Sequence, residues 1–414
     1  MQPPAVCHAQ ESWVPVSRFS VDELHKLISD MSAHLEVKVQ HSTKSHIPPL
    51  SPGILGGHPI SILKKEDLDS ELFRSIWAKR RPMVVTEVLD NSQIAWTPQY
   101  LSSEYGEETC DVEDCEGTGM TSVWTVEQYF SQFEIPHGNR HTIYKLKDWP
   151  PSDRFESVHP QLHADFMKIL PVQDYTAHTG KLNLVSHFPL NSVAPDVGPK
   201  LYSALMSLLD DKHHGSTRLH LDLADAVNIM TYAGLTANGT QGYATWHIFK
   251  ATDVEKLREY LLTKHAKGDI LGDVIHNQQT FLSPSMLQEL RQKHDVCPYV
   301  VQQHVGEAVF IPAGCAHQVS NQADCIKVAC DFVSPESIPT CLQLAEQFRL
   351  QRMAHQWPQD VLPVELLLYY TWLCCEAVTL AKCSSGPPEA PSFACPISQC
   401  VKAFKNAIAL LDHA

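Results

Sequence analysis

Gly306-Glu307-Ala308-Val309-Phe310-Ile311-Pro312-Ala313-Gly314-Cys315-Ala316-His317-Gln318-Val319-Ser320-Asn321 decides the fold. Ala308 to Pro312 is an apolar run bounded by a glycine and by Pro312-Ala313-Gly314, and it reads as a strand that runs into a tight turn. Glycine lets the chain turn sharply and proline stiffens the approach, so His317 is delivered to the interior of a β-barrel.

Working outward, His220-Leu221-Asp222 answers that histidine. Successive strand side chains point to opposite faces, so His220 and Asp222 share a face if the segment is extended. Two imidazoles and one carboxylate leave half of an octahedral ferrous ion open, which a non-haem oxygenase needs for its co-substrate and dioxygen. Catalytic zinc also takes three protein ligands, so the triad alone leaves zinc open. The spacing Gly-x5-Pro-x-Gly-x2-His-x3-Asn from Gly306 to Asn321 is similar to the second motif of the cupin barrels.

Lys327 lies ten residues beyond His317, between Ile326 and Val328. An unpaired ammonium on an apolar strand is costly, so it calls for an anionic partner. The far carboxylate of 2-oxoglutarate would be one, which favours iron over zinc. Thr217, three residues before His220, adds a hydroxyl, and Asn228 shares the strand parity of His220 and Asp222 if no bulge intervenes. The plainer alternatives are a snorkelling edge lysine and a satisfied core amide. His213 and His214 in a polar loop, and His247 after Trp246, are read as structural or solvated.

The barrel core is expected to start after Gly215-Ser216-Thr217, with strands at 218–223, 227–232, 244–249, 299–305, 308–312 and 326–333. A further strand is expected at 81–88. Thr125 with Gln128 should cap a short helix, Thr252 opens a helix to Thr263, and Ser283-Pro284 opens another to His294. Helical patterns follow to His355 and over 364–381, and a short one lies at 21–28. The fold class is mainly β with added helices: residues 1–56 as an N-terminal extension, 57–355 as the catalytic domain, and 356–414 as a helical extension packed on the barrel.

A chain of 414 residues has room for such a barrel plus extensions. Its net charge of -15 and pI near 5.8 speak against a DNA-clamping body and are compatible with a basic peptide partner. Thirteen cysteines without a Cys-x-x-Cys pair suit buried thiols in a reducing compartment, and the Cys-x4-Cys spacings at Cys110/Cys115 and Cys395/Cys400 are poor zinc signals. The start of the chain lacks the basic and apolar regions of a signal peptide. The apolar stretch from Val361 to Ala381 contains Pro363, Glu365 and Glu376, and is read as a buried helix, not a membrane span.

Taken together, these residues resemble the Jumonji C (JmjC) oxygenases, within them the lysine demethylase branch of JMJD1-type and hairless-type proteins. The resemblance runs from Gly56 to Arg349. It rests on the blocks 145–151, 180–184, 196–202, 215–222, 244–248, 309–319 and 325–336. It implies a jelly-roll, cupin-like double-stranded β-helix, with Fe(II) at His220, Asp222 and His317 and 2-oxoglutarate on Lys327 with Thr217. Dioxygen would be the other co-substrate. The implied substrate is mono- or dimethylated lysine on the histone H3 tail, of the lysine-9 type, in nuclear chromatin, without sequence-specific DNA binding. There 2-oxoglutarate is decarboxylated, the N-methyl group is hydroxylated and formaldehyde leaves.

Two features depart from the branch. Its zinc-finger region has no counterpart upstream of the barrel, which suits a catalytic piece or a member targeted differently. The connection from Tyr232 to Ala244 is short, and loops at a barrel mouth build the peptide groove; within it Asn238-Gly239-Thr240 reads as a turn. A JmjC hydroxylase of a non-histone side chain and a catalytically silent chromatin scaffold are the competing readings. A homodimer contact through Leu366–Leu373 is the minor one for that helix.

Overall fold

The computed structural model describes residues 47–383 apart from 117–119, 152–153, 189–194, 208–209, 211, 213–214, 237, 265–271 and 356–361, and a few residues beyond either end. The chain divides into the units 1–44 and 45–414. In the first, Asp22, His25 and Lys26 are helical, and the rest of the pattern expected at 21–28 lies outside the described residues. The same holds for His213, His214, Cys395 and Cys400.

Strands of the second unit are β1 (Ser61–Lys64), β2 (Met83–Thr86), β3 (Thr109–Asp114), β4 (Thr121–Thr125), β5 (Tyr144–Trp149), β6 (Lys200–Ala204), β7 (Thr217–His220), β8 (Asp225–Ala233), β9 (Ala244–Ile248), β10 (Tyr299–Gln303), β11 (Ala308–Ile311), β12 (His317–Asn321) and β13 (Cys325–Phe332). They form a large sheet in the order β1-β2-β11-β8-β13-β6-β5-β3-β4 and a small one in the order β10-β9-β12-β7.

Period-2 alternation sorts these strands into layers. On β8, Val227 and Ile229 point out to an aromatic layer, and Ala226 and Met230 point in; on β13, Ile326, Val328, Cys330 and Phe332 point out and Cys325 points in. The interior cluster takes Val309 and Ile311 from the large sheet and Trp246, Ile248, Val301 and Val319 from the small one, so the two sheets close on each other. This is the mainly β, cupin-like jelly roll expected.

Helices cover both outer faces. From the helix Ser70–Trp77, Phe73 lies 5.4 Å from the Phe310 ring and Trp77 lies 5.9 Å from that of Phe332. Over the small sheet, Leu219, Leu221 and Phe249 pack with Leu257, Leu290, Leu344 and Leu367 from four helices. The capping box of Thr125 and Gln128 and the cap of Ser283 are present. Cys110 and Cys115 are free and buried, and burial pushes both thiols up to about 12.

Four expectations need correction. The barrel does not start at 215: β2 lies between β1 and β11, and β6 pairs with β13, so strands far upstream complete the large sheet. The strand expected at 218–223 stops at His220, where the chain turns into β8 and the Asp222 carbonyl accepts a hydrogen bond of 3.0 Å from Gly314 N. Asn228 therefore sits on a different strand, in the other sheet, and parity with His220 does not apply to it. The helix Val364–Cys383 is not wholly buried; Val364 and Leu367 are, but Leu366 and Leu373 are 45% and 37% exposed. No helix among the described residues is long and apolar enough to cross a membrane. The sequon at 238–240 is a tight turn, with Gly239 at φ +75.

Asp225, at the head of β8, is fully buried. Its carboxylate accepts from Ala313 N (2.8 Å), Ser334 N (3.2 Å), Ser334 Oγ (2.5 Å) and Ser337 Oγ (2.6 Å). It thereby fixes the Pro312-Ala313-Gly314 turn, where Gly314 has φ +77 and an added Cβ would lie 2.9 Å from Thr340. Removing the acceptor leaves buried donors unpaired, so Asp225→Ala should destabilise the protein by about 3 kcal/mol in urea unfolding. A loss below about 1 kcal/mol would contradict this account of the turn.

Candidate metal centre

His317 opens β12, and in the antiparallel pairing of β12 with β7 it stands directly opposite His220. The next registered pair is Val319 with Thr217, so β7 advances three residues while β12 advances two. That bulge alters the parity of β7. Thr217 would face away from His220 on a regular strand, but here both line one cavity.

The two imidazole rings have centroids 4.2 Å apart. Asp222 approaches both, with Oδ1 3.8 Å from His220 Nε2 and Oδ2 3.7 Å from His317 Nε2. These distances are too long for hydrogen bonds. Each ring is instead oriented through its other nitrogen: His220 Nδ1 donates to the Arg218 carbonyl at 2.8 Å and His317 Nδ1 to that of Cys315 at 3.0 Å. This assigns the proton to Nδ1 and leaves both Nε2 lone pairs aimed at the carboxylate, the arrangement a metal-binding imidazole requires. Burial and the neighbouring His317 hold His220 down to about 4, so its ring is neutral at ordinary pH. The donor set, one oxygen and two nitrogens within 4.8 Å of one another, fits a divalent ion.

The cavity has a volume of about 260 Å³, and β13 supplies one wall. The alternation that sends Ile326 and Val328 outward turns Lys327, Ala329 and Asp331 inward. Lys327 is 7% exposed. Its Nζ donates to Asn321 Oδ1 at 3.0 Å and lies 5.3 Å from the centre of the Trp246 ring. No carboxylate among the described residues is within ion-pair distance, and burial pulls the amine down to about 8. This is a desolvated cation with one neutral acceptor and a π face.

Asn228 lines the same cavity from β8 through the inward parity of that strand. It is tied in through Gln303, whose Nε2 donates to the Asn228 carbonyl at 2.9 Å while its Oε1 accepts from Trp246 Nε1 at 2.9 Å. Trp246 in turn stacks on His317 at 5.8 Å. His247 points to the other side of β9, and burial lowers it to about 4, in keeping with a structural role.

The sequence reading missed Asp148, Tyr202, Trp246, Asn321 and Asp331 as cavity residues. Asp331 had a legible signal, since it lies four residues after Lys327 on one strand and must share its face. Burial, then the charge of Asp222, pushes the Asp331 carboxyl well above the usual range, and burial with Asp148 raises the Tyr202 phenol. A divalent ion at the triad would favour the ionised form of Asp331.

A family model described as "JmjC domain, hydroxylase" matches residues 229–332, which contain His317 and Lys327. Lysine-specific demethylase 3A of Homo sapiens is 33% identical over 355 residues, covering 76% of this chain and 27% of that protein. Lysine-specific demethylase 3 of Drosophila melanogaster is 35% identical over 353 residues, covering 75% and 41%. Lysine-specific demethylase JMJ29 of Arabidopsis thaliana is 30% identical over 417 residues, covering 83% and 47%. The chain thus spans between 27% and 47% of the length of these relatives. With a closed jelly roll, a His-Asp-His cluster inside it and this range of similarity, the chain belongs to the JmjC-domain family, in which it stands with the lysine-specific demethylase 3 relatives.

Proposed function

We propose that this chain is a histone lysine demethylase dependent on Fe(II) and 2-oxoglutarate, acting in the nucleus on mono- or dimethylated lysine of histone H3, of the lysine-9 type. Its catalytic domain is read as residues 57–355. The observation that carries the reading is one cavity in which two imidazoles and a carboxylate converge beside a buried ammonium that has no carboxylate within ion-pair distance among the described residues. The names of the relatives supply the substrate class.

When bound, iron with 2-oxoglutarate and dioxygen supplies the oxidising power to hydroxylate an N-methyl group, after which formaldehyde leaves. His220, Asp222 and His317 hold the ion on one side, and their hydrogen-bonded Nδ1 groups keep the rings from turning away. The Lys327 ammonium and Thr217 hydroxyl receive the far carboxylate of the co-substrate, with Asn228 beside them on the cavity wall. Trp246 covers Lys327 and limits the access of water. Asp148 and Asp331 line the cavity, and a methylated ammonium entering it would favour the ionised form of Asp331, which burial otherwise disfavours.

Protein loaded anaerobically with ferrous iron and 2-oxoglutarate, then exposed to air with a panel of methylated H3 peptides, should remove methyl groups as read by mass spectrometry. His220→Ala and Lys327→Ala should each lower turnover by more than about 100-fold. The matched family's description also names hydroxylases. A protein that leaves methylated peptides intact but adds one oxygen to another target would favour that reading, and absence of any succinate would favour a silent scaffold.

Lys327 also gives a pH dependence. Its amine is charged below about 8 and neutral above, so 2-oxoglutarate binding should be strongest below that pH. Affinity should fall by up to about tenfold per pH unit above about 8 and level off above the higher value that the amine takes with the anion bound. Isothermal titration of Lys327→Met should give weak binding without this dependence; a wild-type affinity flat from about pH 7 to 11 would contradict the role of the charge.

A further inference from the structure

Gln278 stands at the rim of the metal cavity in a backbone conformation that its side chain disfavours. Its φ is +51, in the left-handed region, where a glycine would sit without steric cost. The side chain is exposed and has no hydrogen-bond partner among the described residues. Nothing local therefore explains a glutamine there. Strained backbone at the edge of a cavity commonly marks a group held for a ligand.

The loop that carries it is firmly placed. Gln318 follows His317 on β12 and faces away from the cavity, fully buried. Its Oε1 accepts from Leu282 N at 2.7 Å and its Nε2 donates to the Leu282 carbonyl at 2.8 Å. Its side-chain amide thus substitutes for a strand partner. The Thr280 carbonyl accepts from Leu219 N at 2.8 Å, so the loop is also tied to β7, and Phe281 and Leu282 are buried beneath it. Gln278 is held by the two strands that carry His220 and His317.

A second cavity of about 260 Å³, lined by Thr121, Cys115, Asn277 and Gln279 among others, adjoins the first. The two share Lys145, Lys147, Ser216, Thr217 and Gln278. Gln278 lies at their junction, where a chain whose side chain enters the metal cavity would continue along the outer shelf. A primary amide offers one acceptor and a donor pair, the complement of a peptide group, and it is indifferent to the side chains on either side.

We propose that Gln278 anchors the main chain of the substrate peptide next to the methylated lysine, and that Gln318 is a positioning residue that fixes it relative to the metal ligands. The inference rests on the demethylase reading. The amide bonds with a peptide group of the substrate through Nε2–H and Oε1, and the shelf between Thr121 and Gln279 carries the flanking residues.

The test is steady-state kinetics of the iron-loaded protein on a methylated H3 peptide. Gln278→Glu keeps the shape and removes the donor, and Gln278→Ala removes both groups. KM for the peptide should rise about tenfold in Gln278→Ala, with a smaller rise in Gln278→Glu, while kcat stays within about twofold and KM for 2-oxoglutarate is unchanged. Gln278→Asn, which tolerates the left-handed conformation, should recover part of the loss. Gln318→Leu should raise the same KM, and adding it to Gln278→Ala should cost little more. An unchanged peptide KM in Gln278→Ala, or a rise in KM for 2-oxoglutarate in its place, overturns the inference alone. A wild-type protein that turns over no methylated peptide overturns it together with the demethylase reading.

Discussion

The pairing of His317 with His220 across β12 and β7 is the constraint on which the site depends. It brings two imidazoles together inside the barrel, tilted by 55° with centroids 4.2 Å apart, and neither strand could slip by one residue without turning its histidine out of the cavity. The bulge beside that pair brings Thr217 round to the same side. The Gly314 N–H bond to the Asp222 carbonyl and the Asp225 hub then fix the third ligand, which has no strand of its own. One register thus controls the ligand set, and the left-handed turn at Gly314 lets the chain re-enter β12 in that register.

Electrostatics adds a second constraint, because the cavity confines charges that do not neutralise one another directly. Lys327 faces a neutral amide and an indole, and Asp222, Asp148 and Asp331 lie on the same lining. A buried charge without a counter-ion is unfavourable, and the cavity carries both signs. A divalent cation at the triad and a dicarboxylate reaching Lys327 would relieve both. On the proposed reading, folding leaves this imbalance in place and binding removes it.

Much of this was legible in the sequence, and the limits have physical reasons. Pro312-Ala313-Gly314 announced its turn, and the hydrophobic alternation around Lys327 announced its burial, because both are local properties of the chain. Asp222 was placed on a strand since His-x-Asp has the right period, but nothing local signals that β7 ends at His220. Asn228 reaches the cavity by the parity of a strand in the opposite sheet, which is a tertiary fact. Strands such as β6, five residues long with polar residues facing the cavity, carry too little apolar periodicity to be seen. Asn321 was visible as a motif position, but its task of accepting from Lys327 depends on two strands meeting. The bulge that makes Thr217 useful left no mark in the sequence at all.

On the proposed reading, His220, Asp222 and His317 hold a divalent ion with positions left open for a co-substrate that Lys327 receives. Visible absorption of the cobalt(II)-loaded protein tests it most directly. The account predicts the weak bands of six-coordinate cobalt, lost in Asp222→Ala and altered by 2-oxoglutarate only when Lys327 is intact. Intense four-coordinate bands indifferent to 2-oxoglutarate, or a spectrum that survives the loss of Asp222, would contradict it.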